Sequence, residues 1–444
     1  MYKTIAALAT APGLGGIAIV RVSGPGAETV LSRLFRRADG KKEWVSHQLC
    51  FGRIEGASGE TLDEAMAVLM RAPRSYTRED VAELHCHGGD AVSRQVLEEI
   101  FALGVRPAGP GEFTRRAFEN GRIDLSQAEA AMRLIGAQGE AETREALRQM
   151  SGAVSRGIRQ AQEKITEMLA EIAACTDFPD EVEETPTAQS LLEKGEKLAQ
   201  WLRQSCDARR GRVLEQGLDV VIAGRPNVGK SSLLNALVGE ERAIVTARAG
   251  TTRDVVKASV LLEGVRVNLT DTAGLREAED EAETIGVQRA RKAMENADLL
   301  LIVLDASMPL CEEDRQLLEE TKDRRRLVIC NKSDLDRALD VPCDLTISAQ
   351  TSQGMEELRA FLRQEAAGSV TGSGALLTQA RHVEAAQRAA GRLDEMAQTL
   401  RQGMPVDFAA VDARGALGAL GEITGENAEE QVVDEVFRSF CVGK

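Results

Sequence analysis

Residues 224–232 read Gly-Arg-Pro-Asn-Val-Gly-Lys-Ser-Ser and directly follow the apolar run Asp219–Ala223. A helix-forming stretch begins near Lys230, so the segment has the strand, glycine-rich turn and helix order of a phosphate-binding loop. Gly224 and Gly229 let the backbone curl so that successive N–H groups face phosphate oxygens, and the helix N-terminus adds its positive dipole. The stretch therefore predicts a nucleotide-binding α/β domain.

The residues of this loop have separate predicted roles. Lys230 is expected to reach the terminal phosphates and is a catalytic candidate, and the Ser231 hydroxyl is expected to coordinate Mg²⁺. The nucleotide-binding residues predicted from the loop are Asn227, Val228, Gly229, Lys230, Ser231 and Ser232.

Four further segments follow in the order of a GTP site. Gly250-Thr251-Thr252 lies in a predicted loop, where the last threonine adds a second hydroxyl to Mg²⁺, and Asp271-Thr272-Ala273-Gly274 ends a strand beside the metal and the γ-phosphate. Asn331-Lys332-Ser333-Asp334 ends another strand, and its aspartate can accept two hydrogen bonds from guanine that adenine cannot offer. Ser348-Ala349-Gln350 closes the base pocket. Since open α/β sheets bind ligands at the carboxyl ends of their strands, the domain is predicted to bind GTP.

Leu275 stands where many GTPases of this type carry a glutamine that orients the attacking water. An aliphatic side chain cannot orient water, so hydrolysis needs another group. The acidic stretch Glu279–Glu283 follows directly, although composition alone favours a solvated charge run there.

The composition favours helices and parallel sheet. Hydrophobic residues make up 43% of the 444 residues and aromatic residues only 3%, so Leu, Val, Ile and Ala must build the cores of several domains. We predict an N-terminal α/β domain over 1–118, helical parts over 119–212 and 373–444, and a Ras-like P-loop GTPase domain over 213–372. The GTPase domain is predicted to be inserted in one helical domain, although two separate helical domains would look similar in sequence.

Charge and cysteine usage limit the partners and the compartment. The net charge of −15 means that nucleic acid, if it binds, must use a local basic patch or a partner protein. Apolar runs such as Leu299–Leu304 are too short to span a bilayer, so no membrane partner is expected. The eight cysteines include no Cys-x-x-Cys pair and follow no secretory segment, so we expect free thiols in a cytoplasmic protein.

His85, Cys86 and His87 are adjacent and precede Gly88-Gly89. Three consecutive residues cannot all face one metal ion, so the segment predicts a structural turn and no metal site.

Segments along the whole chain resemble the tRNA modification GTPase family (MnmE, also called TrmE). They are Thr10–Gly24, Tyr76–Glu83, Arg106–Phe113, Asp177–Asp180 and the tail Phe440–Lys444, of which the tail is the most specific. The resemblance implies a homodimer with an N-terminal tetrahydrofolate-binding and dimerisation domain, a central helical domain and an inserted GTPase domain. With the flavoprotein partner MnmG (GidA), such proteins install an aminomethyl-type group at C5 of the wobble uridine of certain tRNAs.

The resemblance also implies the residues of a folate site. Contacts to 5-formyl- or methylene-tetrahydrofolate map onto Arg21, Glu83, Arg122 and Lys444. Position 122 is a lysine in some family members, and arginine keeps the charge while altering the contact geometry. Cys441 matches the functionally required tail cysteine of the family.

For GTP hydrolysis, the resemblance implies two GTPase domains that meet across K⁺. The cation then supplies the electrostatic stabilisation that an arginine finger gives elsewhere. Its ligands map onto Asn227, Thr246, Arg248 and Thr251, and the acid that orients water maps onto Glu283. The loop adds further GTP-binding positions, which are Thr246, Ala247, Arg248, Ala249, Gly250, Thr251 and Thr252.

Two other functional classes are open at this point. One is a regulatory GTPase switch in ribosome assembly, and the other is a binding module in which GTP hydrolysis is incidental. The N-terminal folate-like segments and the Cys441 tail discriminate between them, because a pure switch needs neither. We expect tRNA to be held largely through the complex with the flavoprotein, or by a local basic patch.

Overall fold

The computed structural model describes residues 3–240, 257–272, 291–370 and 376–443. By internal contacts the chain divides into two compact units. Unit 1 comprises Met1–Met132, Gln149–Gln189 and Thr399–Lys444, and unit 2 comprises Arg133–Arg148 and Ser190–Gln398. Each unit contains one β-sheet of its own.

Unit 1 is built on a seven-stranded sheet in the order β3-β4-β5-β6-β2-β1-β7. All neighbouring strands are antiparallel except β1 and β7, which are parallel. The strands are β1 Ile5–Leu8, β2 Ile17–Ser23, β3 Phe35–Arg37, β4 Cys50–Glu55, β5 Thr61–Met70, β6 Val81–His87 and β7 Arg106–Pro107, and the helices among them are α1 Ala27–Leu34, α2 Asp90–Ala102 and α3 Glu112–Glu119.

Side-chain alternation along β2 and β6 gives this sheet two different faces. Val20, Val22 and Leu84 are buried in a core that also contains residues of α1 and α2. Because successive side chains of a strand point to opposite faces, Arg21 and Glu83 lie on the other face, where they are direct cross-strand partners. The antiparallel register therefore pairs two charges that are 62 residues apart in sequence.

Six further helices of the described residues follow α3 or lie near the C-terminus, and they range from nine to 25 residues. They are α4 Leu125–Gly136, α5 Glu140–Met150, α6 Ala153–Asp177, α7 Glu184–Gln204, α13 Val406–Thr424 and α14 Glu430–Arg438. Among the described helices, none combines the length and the apolar character needed to cross a bilayer.

The C-terminal tail packs through its phenylalanines. Phe437 and Phe440 are buried in a small core with Leu125, and the ring centroids of Phe118 and Phe437 are 6.0 Å apart. The chain beyond them continues as an isolated β-bridge between Pro110 and Val442.

Unit 2 is built on a six-stranded sheet in the order β13-β12-β11-β8-β10-β9. Its strands are β8 Leu218–Ala223, β9 Lys257–Leu262, β10 Val265–Asp271, β11 Leu299–Asp305, β12 Arg326–Asn331 and β13 Leu345–Thr346, and its further helices are α8 Ala208–Gln216, α9 Lys230–Glu240, α10 Glu312–Glu320, α11 Met355–Val370 and α12 Ala380–Arg401. Strand β11 is buried along its whole length, as expected for a parallel strand covered on both faces.

At one edge, this sheet departs from the parallel arrangement that the composition favours. Strand β9 is antiparallel to β10, with Leu262 opposite Val265. Only Glu263 and Gly264 connect the two strands, with φ of 48° and 73°. A two-residue connection joins antiparallel strands only, since a parallel pair needs a long crossover.

The chain segments before and after this sheet lie side by side within unit 2. The backbone N–H groups of Leu376 and Leu377 both donate to the carbonyl of Ser205, at 3.0 and 2.9 Å, and Asp207 N–H donates to the carbonyl of Leu377 at 2.9 Å. Adjacent entry and exit segments are what a domain inserted into another requires.

Cys330 and Cys343 form a disulfide, with their Cα atoms 5.9 Å apart. The expectation of free thiols is therefore wrong for this pair and holds for the other six cysteines. Strand β12 pairs with β13, and this pairing brings Cys330 close to Cys343. The spacing of these two cysteines in the sequence does not predict a disulfide between them.

Gly211 in α8 provides a test of the contact between the entry and exit segments. A Cβ at Gly211 would lie 1.6 Å from the carbonyl oxygen of Thr378. Gly211→Ala is therefore expected to lower the free energy of unfolding by about 1–3 kcal/mol, measured by urea denaturation.

The matched control is Gly391→Ala in α12, where a Cβ would meet nothing within 4 Å. This control is expected to stabilise by up to about 1 kcal/mol through helix propensity. Equal stability of the two variants would contradict the close approach of α8 to Thr378.

Candidate functional site

The phosphate loop leaves the carboxyl end of β8 through two glycines with positive φ. Gly224 has φ of 156° and Gly229 has φ of 97°. A Cβ at Gly224 would lie 2.4 Å from the carbonyl oxygen of Val303, and a Cβ at Gly229 would lie 2.3 Å from the Asn331 side-chain nitrogen. Glycine is therefore required at both positions by close approach to neighbouring strand ends.

The buried side-chain amide of Asn331 joins two predicted nucleotide-binding segments. Its Nδ2 donates to the carbonyl of Val228 at 2.8 Å, and its Oδ1 accepts from Ala349 N–H at 3.0 Å. The amide thus connects the phosphate loop to the Ser348–Gln350 segment. Asn331 is one of the predicted nucleotide-binding residues, and its side chain holds the two loops together.

Lys230 and Ser231 begin α9 at the edge where β8 and β10 end. The Lys230 ammonium is buried and donates to the carbonyls of Gly224 and Arg225 at 2.9 and 2.8 Å. The Ser231 hydroxyl donates to Asp271 Oδ2 at 2.7 Å. A hydroxyl beside a carboxylate is the oxygen donor set that suits Mg²⁺, so these two residues fit the predicted metal role.

The two segments predicted to bind the base meet at the ends of β12 and β13. The Ser348 hydroxyl donates to Asp334 Oδ1 at 2.5 Å, and Ser333 N–H donates to the carbonyl of Ile347 at 3.1 Å. Asp334 itself is exposed, and so is Gln350. The structure therefore brings these segments together and leaves the aspartate open to a ligand.

Asp305 belongs to this site and was missed in the sequence. Asp305 is the last residue of β11, and its carboxylate lies 2.6 Å from Lys332 Nζ. The backbone of Lys332 has φ of 65°. Burial raises the pKa of Asp305, but hydrogen bonds from Lys332 and Ser307 outweigh it, so the pKa lies below its usual range. Asp271 is predicted as a site residue because it is an acid at the carboxyl end of an apolar strand. Asp305 has the same position on β11, so the same signal could have identified it.

Some of the other predicted site residues lie in the part of the chain that the structure describes, and the rest lie outside it. Thr272 is buried and its hydroxyl donates to the carbonyl of Ile222 at 3.0 Å, whereas Asn227, at φ of 64°, and Ser232 are exposed. The predicted residues that lie outside the described ranges are Thr246, Ala247, Arg248, Ala249, Gly250, Thr251, Thr252, Ala273, Gly274, Glu283 and Lys444, and Leu275 lies outside them as well.

A second cluster lies on the face of the unit 1 sheet opposite the core formed with α1 and α2. Arg21 Nε donates to Glu83 Oε1 at 2.8 Å, and the two side chains are 17% and 14% exposed. His85 Nε2 lies 3.2 Å from the other carboxylate oxygen of Glu83. Burial raises the pKa of Glu83, but His85 and Arg21 together outweigh it and hold the pKa below its usual range.

An aromatic pair accompanies the predicted folate residues. The guanidinium carbon of Arg21 lies 5.4 Å from the ring centroid of Tyr76 and 5.8 Å from that of Phe113. The guanidinium carbon of Arg122 lies 4.7 Å from the Tyr76 centroid. Arg21 and Arg122, which are far apart in sequence, therefore converge on one aromatic side chain, and Glu83 joins the cluster through its ion pair with Arg21.

The C-terminal tail reaches the same cluster. Arg21 Nη1 donates to the carbonyl of Gly443 at 3.4 Å, and Gly111 N–H donates to the carbonyl of Cys441 at 3.4 Å. Gly443 has φ of 100°, and a Cβ there would lie 2.0 Å from the Leu8 carbonyl oxygen. The Cys441 side chain is exposed.

The turn predicted for residues 85–87 is wrong, because these residues form the end of strand β6. Cys86 is buried, whereas the His87 ring lies 2.7 Å from Asp63 Oδ1 and His85 faces Glu83. The alternation of a strand thus separates the two histidines from the thiol. Within the described residues, no group of three or more His, Cys, Asp or Glu side chains is arranged to hold a metal ion.

Unit 2 has a glycine-rich loop between a parallel strand and a helix, with a hydroxyl and an acid beside it, and these features define a P-loop nucleotide-binding protein. The family model described as "MnmE helical domain" matches residues 125–441, and that described as "GTP-binding protein TrmE N-terminus" matches residues 4–122. The chain belongs to the MnmE (TrmE) family of tRNA modification GTPases.

Similar proteins extend over the full length of the chain. The tRNA modification GTPase MnmE of Lactiplantibacillus plantarum is 43% identical over 460 residues, which cover 100% of this chain and 99% of that protein. That of Geobacter metallireducens is 42% identical and covers 100% of both chains. Among solved structures, the G domain of the T. maritima FeoB iron transporter covers 32% of this chain and 94% of that chain, at 28% identity and a TM-score of 0.24.

Asp334→Asn tests the predicted recognition of guanine. The substitution replaces an acceptor of two hydrogen bonds by an amide that offers a donor, so GTP affinity is expected to fall by roughly 100-fold or more while affinity for xanthosine triphosphate rises. Displacement of a fluorescent nucleotide measures both affinities. Asp336→Asn, at a neighbouring exposed position, is the control, and unchanged GTP affinity in Asp334→Asn would contradict the assignment.

Proposed function

We propose that this chain is a K⁺-activated GTP hydrolase that acts with an MnmG-like flavoprotein in tRNA modification. The pair adds an aminomethyl-type group to C5 of the wobble uridine of certain tRNAs, with a tetrahydrofolate derivative as the one-carbon donor. The observation that carries the proposal is the 43% identity to a tRNA modification GTPase over 100% of this chain. The similarity extends over the whole chain, so the matched length spans the phosphate loop, the Arg21 region and the tail.

For GTP hydrolysis, the proposal assigns the phosphates to the loop N–H groups and to Lys230. Ser231 and Thr252 would hold Mg²⁺, which neutralises developing charge on the phosphate oxygens. Asn227 would supply the side-chain ligand for K⁺, together with Thr246, Arg248 and Thr251. Glu283 would orient the attacking water, a role that Leu275 cannot fill.

For the one-carbon donor, the proposal assigns Arg21, Glu83, Arg122 and Lys444. Support comes from the convergence of Arg21 and Arg122 at Tyr76, from the ion pair of Arg21 with Glu83, and from the hydrogen bond of Arg21 to Gly443, the residue before Lys444. Guanidinium groups suit this ligand because folates carry carboxylates, which arginine binds through two parallel hydrogen bonds. Cys441 would take part in the chemistry at the same end of the tail.

The proposed assembly is a cytoplasmic homodimer, with dimerisation through the domain at 1–118. The proposal keeps the helical parts at 119–212 and 373–444 and the inserted GTPase domain at 213–372. Support for the insertion comes from the single helical-domain family match, which begins at 125 and ends at 441. Because the net charge is −15, tRNA would be held chiefly through the complex with the flavoprotein.

The alternative function is a regulatory GTPase switch in ribosome assembly. Such a switch needs a nucleotide site and a surface whose conformation changes with the bound nucleotide. Unit 2 alone would be enough to supply both. The switch needs neither a paired Arg21–Glu83 cluster nor a tail that reaches it, and these features favour the modification enzyme.

Replacing KCl by NaCl at equal ionic strength tests the cation mechanism. GTP turnover is expected to be at least about tenfold faster in KCl, because K⁺ replaces the charge of an arginine finger. Asn227→Ala is expected to remove most of this difference, and Asn235→Ala, at another exposed asparagine, to keep it. Equal rates in both salts would refute K⁺ activation.

A further inference from the structure

We propose that Tyr76 is a positioning residue of the tetrahydrofolate site, and that its ring holds the guanidinium groups of Arg21 and Arg122 in place for the ligand. The inference rests on the folate-binding function proposed above. It adds a residue that the family resemblance did not assign, and it gives that residue a role through Arg21 and Arg122.

The geometry places two cations over one aromatic ring. The guanidinium carbons of Arg21 and Arg122 lie 5.4 and 4.7 Å from the Tyr76 centroid, both inside the range of a favourable cation–π interaction. Two like charges near each other repel, and the negative face of the ring reduces the cost of bringing them together. Without the ring, each guanidinium would lose a cation–π contact and gain rotamer freedom, although Arg21 would keep its ion pair with Glu83 and Arg122 its hydrogen bond to the Tyr76 carbonyl.

Backbone and side-chain contacts fix the position of the ring. The Tyr76 hydroxyl lies 2.9 Å from Thr114 Oγ1, and the Tyr76 carbonyl accepts a hydrogen bond from Arg122 Nη1 at 3.0 Å. The next residue, Thr77, is fully buried, and its hydroxyl lies 2.7 Å from that of Ser23. The ring is therefore held from β2 and α3 and is in place before any ligand binds.

The charges of the cluster leave one cation available to an anionic ligand. Glu83 pairs with Arg21 at 2.8 Å, whereas Arg122 is exposed and forms no ion pair with the described residues. Among the described residues, Arg21, Arg122 and Glu83 together carry one more positive than negative charge. A folate supplies carboxylates, and a guanidinium already oriented by Tyr76 loses less entropy on binding them.

The ring also packs against Ile5, Ala7, Ala108 and Phe113, so a purely structural role must be separated from positioning. Tyr76→Phe keeps the ring faces and removes only the hydroxyl. Tyr76→Leu and Tyr76→Met keep an apolar side chain and remove the ring. Together, these variants separate the contribution of the ring faces to folate binding from the contributions of the hydroxyl group and of apolar packing.

The test measures binding of 5-formyltetrahydrofolate to the purified full-length protein by isothermal titration calorimetry. Tyr76→Leu and Tyr76→Met are expected to weaken binding roughly tenfold, and Tyr76→Phe less than about twofold, because the cation–π contacts survive only in the last. Arg122→Ala is expected to weaken binding less in the Tyr76→Leu background than in the parent, since the two residues act together. GTP turnover and the thermal midpoint check the fold.

Parent-like affinity in a folded Tyr76→Leu or Tyr76→Met variant would overturn the proposal. Equal weakening by Tyr76→Phe and Tyr76→Leu would also overturn it, because the hydroxyl would then be responsible. Failure of the folate assignment gives a different result, in which the parent does not bind the ligand or Arg21→Ala binds it as well as the parent does. A non-additive Tyr76–Arg122 pair with rescue by phenylalanine supports the proposal.

Discussion

The side-chain amide of Asn331, only 2% exposed, sets the spacing of the nucleotide site. It donates to Val228 in the phosphate loop and accepts from Ala349 in the segment predicted to bind the base. A buried amide that loses one partner costs about 1–3 kcal/mol, so the two segments are held at a fixed separation. Gly229 follows from this constraint, because any larger residue would collide with the amide. The amide thus links the phosphate and base ends of the site directly.

Arg21 has a comparable place in unit 1. It pairs with Glu83 on the neighbouring strand, lies over the rings of Tyr76 and Phe113, and donates to the tail at Gly443. The antiparallel register of β2 and β6 provides the first contact, and the loop at Tyr76, helix α3 at Phe113 and the tail at Gly443 provide the others. A single guanidinium therefore joins the sheet to the C-terminus, which explains how residues more than 400 apart in sequence contribute to one cluster.

Features that depend on one short segment can be predicted from the sequence. Features that depend on contacts between distant parts of the chain cannot. The loop at 224–232 was predictable because its strand, glycines and helix are contiguous. The antiparallel edge strand β9, the Cys330–Cys343 pair and the strand conformation of His85 all depend on pairing with other strands. Tyr76 appeared in the sequence only as part of a family-like segment, since its two arginine neighbours are 55 and 46 positions away, by the difference of residue numbers. The cation-binding loop at 246–252 and Glu283 remain predictions.

The proposal as a whole joins GTP hydrolysis and one-carbon chemistry to the wobble uridine through one chain. Mass spectrometry of tRNA nucleosides tests this most directly, in a strain that lacks the gene and carries either the parent chain or Arg21→Ala. The C5-substituted wobble uridine is expected to disappear in the deletion strain, to return with the parent chain and to stay absent with Arg21→Ala. Unchanged wobble uridine modification in the deletion strain would contradict the proposed function.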